Sequence, residues 1–420
     1  MLNQVFCPDV ASTGQHASDL AAALAALGHR VTVVTSQRGY DNPRLRFPRR
    51  EVWRGVDVRR LPATGFGKGA RWRRAADFAS FCLGCSLRLL LLPRFDVVVA
   101  LTTPPLIAFL AALFVRLKGG RLLYWVMDLN PDQAIAAGWL REGSLPARLL
   151  QAMLRYALRS SARIIVLDRF MHSRLLAKGA PAEKILILPP WSHDHAVRYS
   201  GEGRHAFRAT HGLADKFVVM YSGNHSPCHP LDTVLEAAAR LADRPEIHFC
   251  FVGGGTEQAR IRELAAARRM ANITCLPYQP LESLSASLSA ADLHVAVMGD
   301  AFVGLVHPCK IYNVLAVGKP VLYVGPPESH IADLWPVASS GCFFAARHGE
   351  VDSVARHIIE ASRTRPDPAA LHNELAASFS QDALLDRMAA CLESLDPGGA
   401  VPLPDSSPQA VQPIHRGHRL

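Results

Sequence analysis

The chain of 420 residues alternates short apolar segments with amphipathic segments of helical periodicity, and this series runs twice. The first series opens with VFCPD, SDLAAALAALG and VTVVTS, and the second restarts at Phe217 with FVVMYSG and LDTVLEAAARLA. Strands that are joined through helices form parallel sheets with both faces covered. The pattern therefore predicts an α/β fold of two doubly wound, Rossmann-like domains.

Prolines in LPPWSHDH, residues 188–195, interrupt this pattern and indicate the boundary between the domains. We expect an N-terminal domain over residues 1–190 and a C-terminal domain over residues 191–375. Residues 376–396 are predicted to form a helix that packs back on the N-terminal domain. Residues 397–420 are rich in Pro, Ser and Gly, a composition typical of a disordered tail.

The nine cysteines are odd in number and scattered, mostly through apolar segments. This usage is typical of a reduced, cytoplasmic protein. Cys82 and Cys85 form a CxxC pair, but no second pair or nearby histidines complete a metal set, so core packing is favoured over zinc or redox chemistry. No secretory leader is recognised, and the thin first strand LNQVF suggests that the native start lies upstream of Met1.

Positive charge is concentrated in the first half of the chain. Residues 1–190 hold 27 Lys or Arg against 12 Asp or Glu, and the remainder holds 19 against 24. The predicted patch for the membrane or the acceptor comprises Arg44, Arg46, Arg49, Arg50, Arg71, Arg73 and Arg74. Such a patch suits an anionic membrane surface or a lipid diphosphate. A solvated loop is the alternative, and nucleic acid is not expected because no nucleic-acid-binding motif accompanies the charge.

Two very apolar segments, CLGCSLRLLLL and LIAFLAALFVRLKGG, bear on the same question. Arg or Pro interrupts each segment well short of the roughly 20 residues that a membrane span needs. Both are predicted to be helices packed on a sheet, and a role as a shallow interfacial anchor remains open.

Residues 300–324, DAFVGLVHPCKIYNVLAVGKPVLYV, join a polar, glycine-containing loop to a helix and then to a strand. Backbone N–H groups collect where a loop meets a helix start, so phosphate is a natural ligand there. This segment completes an ordered set of five motifs with TGQHASDLAAALAALGHRVTVVTS, YWVMDLNPD, YSGNHSPCHPLDTVLEAA and FVGGG. In these motifs the chain resembles the family 4 glycosyltransferases of GT-B fold, in the bacterial branch for colanic acid, O-antigen and other polysaccharides.

The resemblance implies two domains that face each other across a cleft, with a nucleotide-sugar donor held mainly by the second domain and the acceptor by the first. Transfer would retain the anomeric configuration, and neither a metal nor another cofactor is expected. We expect a UDP-sugar donor, a lipid-linked or glycan acceptor, and a peripheral location at the inner face of the cell membrane.

The implied donor site combines loops of the second domain with the first glycine of the chain's opening motif. Its residues are Gly14, Gly223, Asn224, His225, His229, Gly253, Tyr278, Gln279, Gly304, Leu305, Val306, Lys310 and Asn313. Many relatives carry Arg and Lys after the first strand of the second domain, and this chain has neither. We therefore expect His225 and His229 to substitute in part, with Lys310 as the main cation at the diphosphate. A tight turn at Gly14 and ordinary packing of Tyr278 are the alternatives.

The same signature departs from the family pattern. Much of the family has two glutamates eight residues apart, and the corresponding positions here are Leu305 and Asn313. An amide can hydrogen-bond a sugar hydroxyl but carries no charge. The change admits a protein that binds a donor without transferring sugar. The three glycines from Gly253 to Gly255 lack the spacing of a dinucleotide fingerprint, so a nicotinamide oxidoreductase is disfavoured.

Asp128 and Asp132, in DLNPD after the strand RLLYWVM, are the predicted catalytic residues. Ligands of open α/β sheets bind beyond the carboxyl ends of strands, where a carboxylate could accept the acceptor's proton or orient its hydroxyl. A turn with a helix cap is the alternative. The expected function is a hexosyl- or acetamidohexosyl-transferase. A non-catalytic binding subunit of a polysaccharide assembly complex and a nucleotide-sugar epimerase are the alternatives.

Overall fold

The structure, a computed structural model, describes residues 1–9, 11–40, 42–67, 70–105, 107–334, 341–365 and 377–395, the side chain of Arg71 excepted. The chain divides into two compact units. Of the described residues, the first unit contains those of Met1–Pro190 together with Gly304–His307 and residues 382–395, and the second contains those of Trp191–Val303 and Pro308–Gln381.

The first unit is built mainly on parallel strands. Its strands are β1 (Thr32–Ser36), β2 (Arg50–Trp53), β3 (Val56–Leu61), β4 (Val97–Ala100), β5 (Arg121–Trp125), β6 (Arg163–Val166) and β7 (Ile185–Ile187). β4, β5, β6 and β7 pair in that order, all parallel, and β1 pairs with β3 in parallel. Leu2 pairs with Val34 of β1 and with Ala100 of β4, so the start of the chain joins the two groups.

The predicted opening strand VFCPD is wrong, since the pairing falls at Leu2. Val5 instead packs against Gly14, where an added Cβ would come within 2.7 Å of Val5 Cγ1. A second difference is the antiparallel pairing of β2 with β3. The turn between them, Arg54 and Gly55, has positive φ at both residues, as short hairpins prefer. The charged residues of β2 hide its alternation from the sequence.

Helices cover the strands of the first unit. They are α1 (Ser12–Ala26), α2 (Arg71–Leu91), α3 (Ile107–Lys118), α4 (Asp132–Ala136), α5 (Leu145–Ser160) and α6 (Arg169–Ala177). The two apolar segments of the sequence lie in α2 and α3, so both are helices as predicted. Among the described helices, none combines the length and the apolar character that crossing a bilayer requires.

The second unit contains a six-stranded parallel sheet. Its strands are β8 (Phe217–Asn224), β9 (Ile247–Gly254), β10 (Ile273–Leu276), β11 (Leu293–Val297), β12 (Val321–Val324) and β13 (Phe343–Ala346). They pair in the order β10-β9-β8-β11-β12-β13. Phe217 to Tyr221 are all buried, as expected for a central strand with both faces covered. The prediction of two Rossmann-like α/β domains is confirmed.

Helices of the second unit alternate with these strands. They are α7 (Gly201–Thr210), α8 (Asp232–Arg240), α9 (Gln258–Ala267), α10 (Leu281–Ser289), α11 (Lys310–Ala316), α12 (His330–Asp333) and α13 (Val351–Thr364). The last described helix, α14 (Gln381–Glu393), groups with the first unit from Asp382 on. The first residues of the predicted terminal helix and the predicted tail at 397–420 lie outside the described residues.

Candidate active site

The order of strands in the second unit locates a ligand site. β8 comes first in the chain, the next two strands are added on one side of it, and β11 starts the other side. The chain therefore changes direction between β8 and β11. Open α/β sheets bind ligands at such a point, beyond the carboxyl ends of the strands.

Gly223 and Gly253 lie opposite each other at the carboxyl ends of β8 and β9. Both have φ in the left-handed range, +145° and +137°. A Cβ on Gly253 would overlap the carbonyl oxygen of Gly223, and a Cβ on Gly223 would come within 2.6 Å of Lys310 Nζ. Only glycine lets the backbone approach the lysine ammonium this closely.

Lys310, the first residue of α11, turns its ammonium toward the end of β8. Nζ lies 3.8 Å from the centroid of the Tyr221 ring, which attracts a cation through its π face. Nζ is buried, although the residue as a whole is half-buried, and no described residue forms a hydrogen bond with it. Burial lowers the pKa of Lys310 to about 7. The site thus holds a cation without a counter-charge among the described residues.

Tyr221 organises the loop around this ammonium, and the sequence analysis does not single it out. Its hydroxyl donates a hydrogen bond to the carbonyl oxygen of Asn224 at 2.8 Å. Its ring also meets the His225 ring edge-on, with centroids 5.0 Å apart. An aromatic residue two positions before a glycine at a strand end is the signal that could have drawn attention to it.

His225 and His229 are neutral near pH 7. Burial lowers the pKa of His225 to about 4 and that of His229 to about 3, and the Lys310 ammonium adds to both decreases. His229 Nδ1 donates to the carbonyl oxygen of Val297 at 2.8 Å, at the end of β11. Burial therefore disfavours the imidazolium in the ligand-free protein, and a contribution of these histidines at the diphosphate stays a prediction.

Tyr278 and Gln279 follow β10 in the loop beside this site. An added Cβ on Gly254 would come within 2.8 Å of the Tyr278 ring, and Tyr278 is 44% exposed. Gln279 Nε2 donates to the carbonyl oxygen of Pro277 at 3.0 Å. The tyrosine ring is thus held against the glycine loop while one part of it stays open to solvent.

Asn313 is engaged within the second unit. Its Oδ1 accepts the backbone N–H of His193 at 3.1 Å, across 120 residues of sequence. This contact fixes the segment that follows the boundary at Pro190 to α11. Because the side-chain oxygen of Asn313 already accepts this hydrogen bond, the predicted contact with the donor has to use the same side-chain amide.

Gly304, Leu305 and Val306 group with the first unit. The carbonyl oxygen of Leu305 accepts the N–H of Leu129 at 2.8 Å, and the side chains of Leu305 and Val306 are buried. An added Cβ on Gly304 would lie 2.8 Å from the backbone of Phe170. The close approach of the Phe170 backbone explains why residue 304 is a glycine.

His307 follows this segment and was missed by sequence reasoning. Its Nδ1 lies 2.7 Å from Oδ2 of Asp168, and both side chains are buried. Oδ1 of Asp168 accepts the N–H of Met171 at 2.7 Å and so caps α6. The HP dipeptide of the signature is therefore part of a buried hydrogen-bond network, which no local pattern in the sequence indicates.

Asp128 follows β5 of the first unit and is half-buried. Burial raises the pKa of Asp128 to about 6, and the guanidinium of Arg74 opposes the increase. Arg74 donates to the Tyr40 hydroxyl at 2.6 Å. Arg38, Tyr40 and Arg74 line a cavity of about 30 Å³. A carboxylate with the pKa of Asp128 can accept a proton from a sugar hydroxyl.

Asp132 has two partners instead. Lys178 Nζ lies 2.7 Å from Oδ1, and Gln151 Nε2 donates to Oδ2 at 3.1 Å. The carboxylate thereby ties α4 to α5 and α6. These contacts favour the structural alternative for Asp132. Beside this loop, Asn130, Pro131 and side chains of α3 and α5 line an apolar cavity of about 70 Å³.

Gly14 lies in the first turn of α1 and not in the loop before it. Sequence reasoning misplaced it because the helix begins six residues earlier than the apolar periodicity indicates. The close contact with Val5 leaves no room for a larger side chain at Gly14.

The predicted arginine patch contains exposed side chains and side chains with partners. Arg50 pairs with Asp57 across β2 and β3 at 2.9 Å, and Arg74 bonds Tyr40. Arg44, Arg46 and Arg49 are exposed before β2, and Arg73 is exposed on α2. The side chain of Arg71 lies outside the described part.

Comparison with known proteins matches each part of the chain to a glycosyltransferase domain. A glycosyl transferase 4-like domain matches residues 13–191, and a glycosyl transferases group 1 domain matches residues 204–375. The glycosyl transferase WcaI of Escherichia coli (strain K12), named for colanic acid biosynthesis, is 28% identical over 347 residues, which cover 78% of this chain and 83% of WcaI. The glycosyltransferase WbjE of Pseudomonas aeruginosa is 23% identical over 306 residues, 72% of this chain and 75% of WbjE.

Solved structures match the fold over most of the chain. Sucrose-phosphate synthase from Thermosynechococcus elongatus has a TM-score of 0.71 at 17% identity, covering 94% of this chain and 98% of its own. HepE of Anabaena in complex with UDP-glucose has a TM-score of 0.67 at 16% identity, with the same coverage. Such low identities show the fold alone. Since the two matched domains together account for most of the sequence, the chain belongs to the family 4 glycosyltransferases of GT-B fold.

Proposed function

We propose that the protein is a retaining glycosyltransferase that moves a sugar from a nucleoside-diphosphate donor to a lipid-linked or polysaccharide acceptor in cell-surface polysaccharide synthesis. The observation that carries this proposal is the buried ammonium of Lys310, which has no hydrogen-bonding partner among the described residues. A buried charge is costly unless an opposite charge meets it. The diphosphate of a nucleotide sugar supplies that charge.

Lys310 acts on the leaving group. When the bond between the sugar and the diphosphate breaks, negative charge grows on the β-phosphate oxygen. An ammonium held in a site of low dielectric stabilises that charge more than it stabilises the intact donor. Lys310 is therefore the residue on which turnover depends, and no metal or cofactor is required in this proposal.

The neutral histidines shape the site without adding charge. With Nδ1 of each ring directed at a backbone carbonyl, of Gly254 for His225 and of Val297 for His229, the rings fix the loop after β8. Tyr278 offers its exposed ring to the base of the nucleotide. UDP-glucose is the first donor to test, because HepE binds it.

Asp128 serves the acceptor in the first unit. Its pKa of about 6 leaves the carboxylate ionised at pH 7 and still able to accept a proton. In this proposal Arg38, Tyr40 and Arg74, which line a small cavity of the same unit, offer hydrogen bonds to acceptor hydroxyls. The names of WcaI and WbjE support a polysaccharide pathway as the source of that acceptor.

Nucleotide release from a panel of UDP-, GDP- and ADP-sugars tests the proposal. We expect release from one donor, dependent on an added membrane lipid extract as acceptor and unaffected by a chelator. Lys310→Met should abolish it. Lys319→Met is the matched control, because Lys319 Nζ also stacks on a tyrosine of the second unit, 4.6 Å from the centroid of the Tyr199 ring, outside the proposed site.

The alternatives give different results in the same assay. Donor binding without release in the presence of every acceptor would indicate a non-catalytic subunit, a possibility that the engaged amide of Asn313 keeps open. Interconversion of donor sugars would indicate an epimerase. Equal turnover by Lys310→Met and the wild type would refute the assignment of Lys310.

A further inference from the structure

Helix α2 presents an apolar face to solvent. Leu83, Leu87, Leu90 and Leu91 are between 58% and 78% exposed. These positions recur every three or four residues, so they share one side of the helix. A surface helix ordinarily places polar residues on that side. The exposed leucines therefore lack an explanation in the folding of the unit itself.

Helices α3 and α5 continue this surface. α2 contacts α3, and α3 contacts α5. α3 exposes Leu113 and Leu117, and α5 exposes Leu145, Leu149 and Tyr156. The three helices lie side by side, so their leucines belong to neighbouring parts of one side of the unit.

Exposed apolar side chains are concentrated in the first unit. Of the 19 large hydrophobic residues that are exposed in the described part of the chain, 16 lie in residues 1–190. Single exposed leucines are normal, but a set on adjacent helices marks an interaction surface.

The same helices are strongly basic. α2, α3 and α5 together contain nine Lys or Arg and one acid, Asp77. That acid accepts the backbone N–H groups of Phe66 and Gly67 at 3.0 Å and is not part of the leucine row. On α5, Arg148 and Arg155 are exposed beside the leucines. On α5, cationic side chains therefore accompany the exposed leucines.

We propose that α2, α3 and α5 form a docking surface for an anionic lipid bilayer, with α2 lying in the plane of the interface. The 21 residues of α2 extend for about 30 Å, long enough for its leucines to enter the acyl boundary along one line. The arginines meet the lipid phosphates. This inference deepens the proposed function, because it names the surface that would bring the enzyme to a lipid-linked acceptor. It rests on that function for its biological purpose, while the binding itself needs no nucleotide sugar.

A bilayer fits this surface better than a protein partner does. A partner with an apolar groove would account for the leucines, but the excess of cations calls for an extended anionic surface as well. Lipid headgroups provide both contacts at once, since long arginine side chains can reach the phosphates while the leucines enter the acyl region.

Sedimentation of the full-length protein with vesicles tests the proposal. The test variant is Leu83→Gln, Leu87→Gln and Leu90→Gln in one chain. The matched control carries Leu27→Gln, Leu176→Gln and Leu281→Gln, three exposed leucines outside these helices. The vesicles contain phosphatidylcholine and phosphatidylglycerol in equal amounts, with pure phosphatidylcholine for comparison, at about 0.1 M and about 0.5 M salt.

We expect the wild type and the control to bind the anionic vesicles, more weakly at high salt, and the test variant to bind at least about ten-fold less tightly. Arg148→Gln with Arg155→Gln should reduce the salt dependence. Unchanged melting temperatures show that the variants are folded. Equal binding by the test variant and the control would overturn the proposal.

Two further outcomes would also overturn it. One is a wild type that does not sediment with anionic vesicles at low salt. The other is a test variant whose only change is conversion of a dimer to a monomer, which would assign the leucines to a contact between two copies. The vesicle assay contains no nucleotide sugar, so it separates the two proposals. Vesicle binding without nucleotide release refutes the proposed function alone, and release without vesicle binding refutes the docking surface alone.

Discussion

Binding of a nucleotide sugar should take up a proton through Lys310. In the free protein, burial holds the pKa of Lys310 at about 7, against an ordinary value of 10.5. That difference corresponds to a free-energy cost of roughly 5 kcal/mol for protonating Lys310 in the folded protein, and an anionic ligand would offset this cost. The complex should therefore keep Lys310 protonated where the free protein does not.

The size of the effect follows from these two pKa values. At pH 8 about one-tenth of the free lysine is protonated, so binding should take up about 0.9 proton, and at pH 6 only about 0.1. The dissociation constant should rise about 50-fold between pH 7 and pH 9 as an upper limit. The diphosphate of UDP-glucose stays ionised throughout, so the ligand adds no proton of its own.

Isothermal titration calorimetry with UDP-glucose, in two buffers of different ionisation enthalpy, measures the proton uptake directly. Lys310→Met should bind about 10- to 100-fold more weakly at pH 7 and show no uptake at pH 8. Lys319→Met should behave as the wild type does. A pH-independent dissociation constant, or uptake that persists in Lys310→Met, would refute the reasoning.

Four further predictions follow from the same structure. Asp128→Asn should lower kcat by about a hundred-fold or more. Wild-type kcat/KM should fall as the pH drops through about 6, since the raised pKa means that the Asp128 carboxylate is protonated there. A kcat/KM that stays constant at acid pH would argue against Asp128 as the base. Gly223→Ala should impair UDP-glucose binding, because a Cβ there would lie 2.6 Å from Lys310 Nζ; calorimetry should then detect no binding at concentrations that saturate the wild type, and normal binding would contradict the geometry. Without ligand, the unfolding free energy of the wild type, relative to that of Lys310→Met, should increase by about 2 kcal/mol from pH 7 to pH 9. The reason is that Lys310 keeps its proton in the unfolded chain and loses it in the folded one. Urea titrations that show the same difference between the two proteins at both pH values would count against the lowered pKa. Asp292→Ala should cost about 3 kcal/mol in urea unfolding, since Asp292 binds Arg204, Arg208 and the N–H of Val218; an unchanged midpoint would mean that this network is dispensable.

The fold was predictable from the sequence where burial is continuous along the chain. Phe217 to Tyr221 form an unbroken apolar run, so a central strand of a parallel sheet was the natural interpretation. β2 was not predictable in this way, because its charged side chains hide the alternation. Helix α1 begins before its apolar periodicity does, and this moved Gly14 out of the expected loop.

The sequence was enough to predict the main cation of the candidate site, but it was not enough to predict the pKa values of the groups around it. Lys310 follows from its place in the signature, but the low pKa values of His225 and His229 depend on burial that only the folded chain defines. The engagement of Asn313 by His193 joins residues 120 positions apart, beyond the reach of any local pattern. The pairing of Asp168 with His307 is of the same kind.

A crystal structure of the protein with UDP tests the central claim most directly. We predict a β-phosphate oxygen about 2.8 Å from Lys310 Nζ, above the glycines that end β8 and β9. A nucleotide bound elsewhere, with Nζ still stacked on Tyr221 and no phosphate in contact, would contradict it.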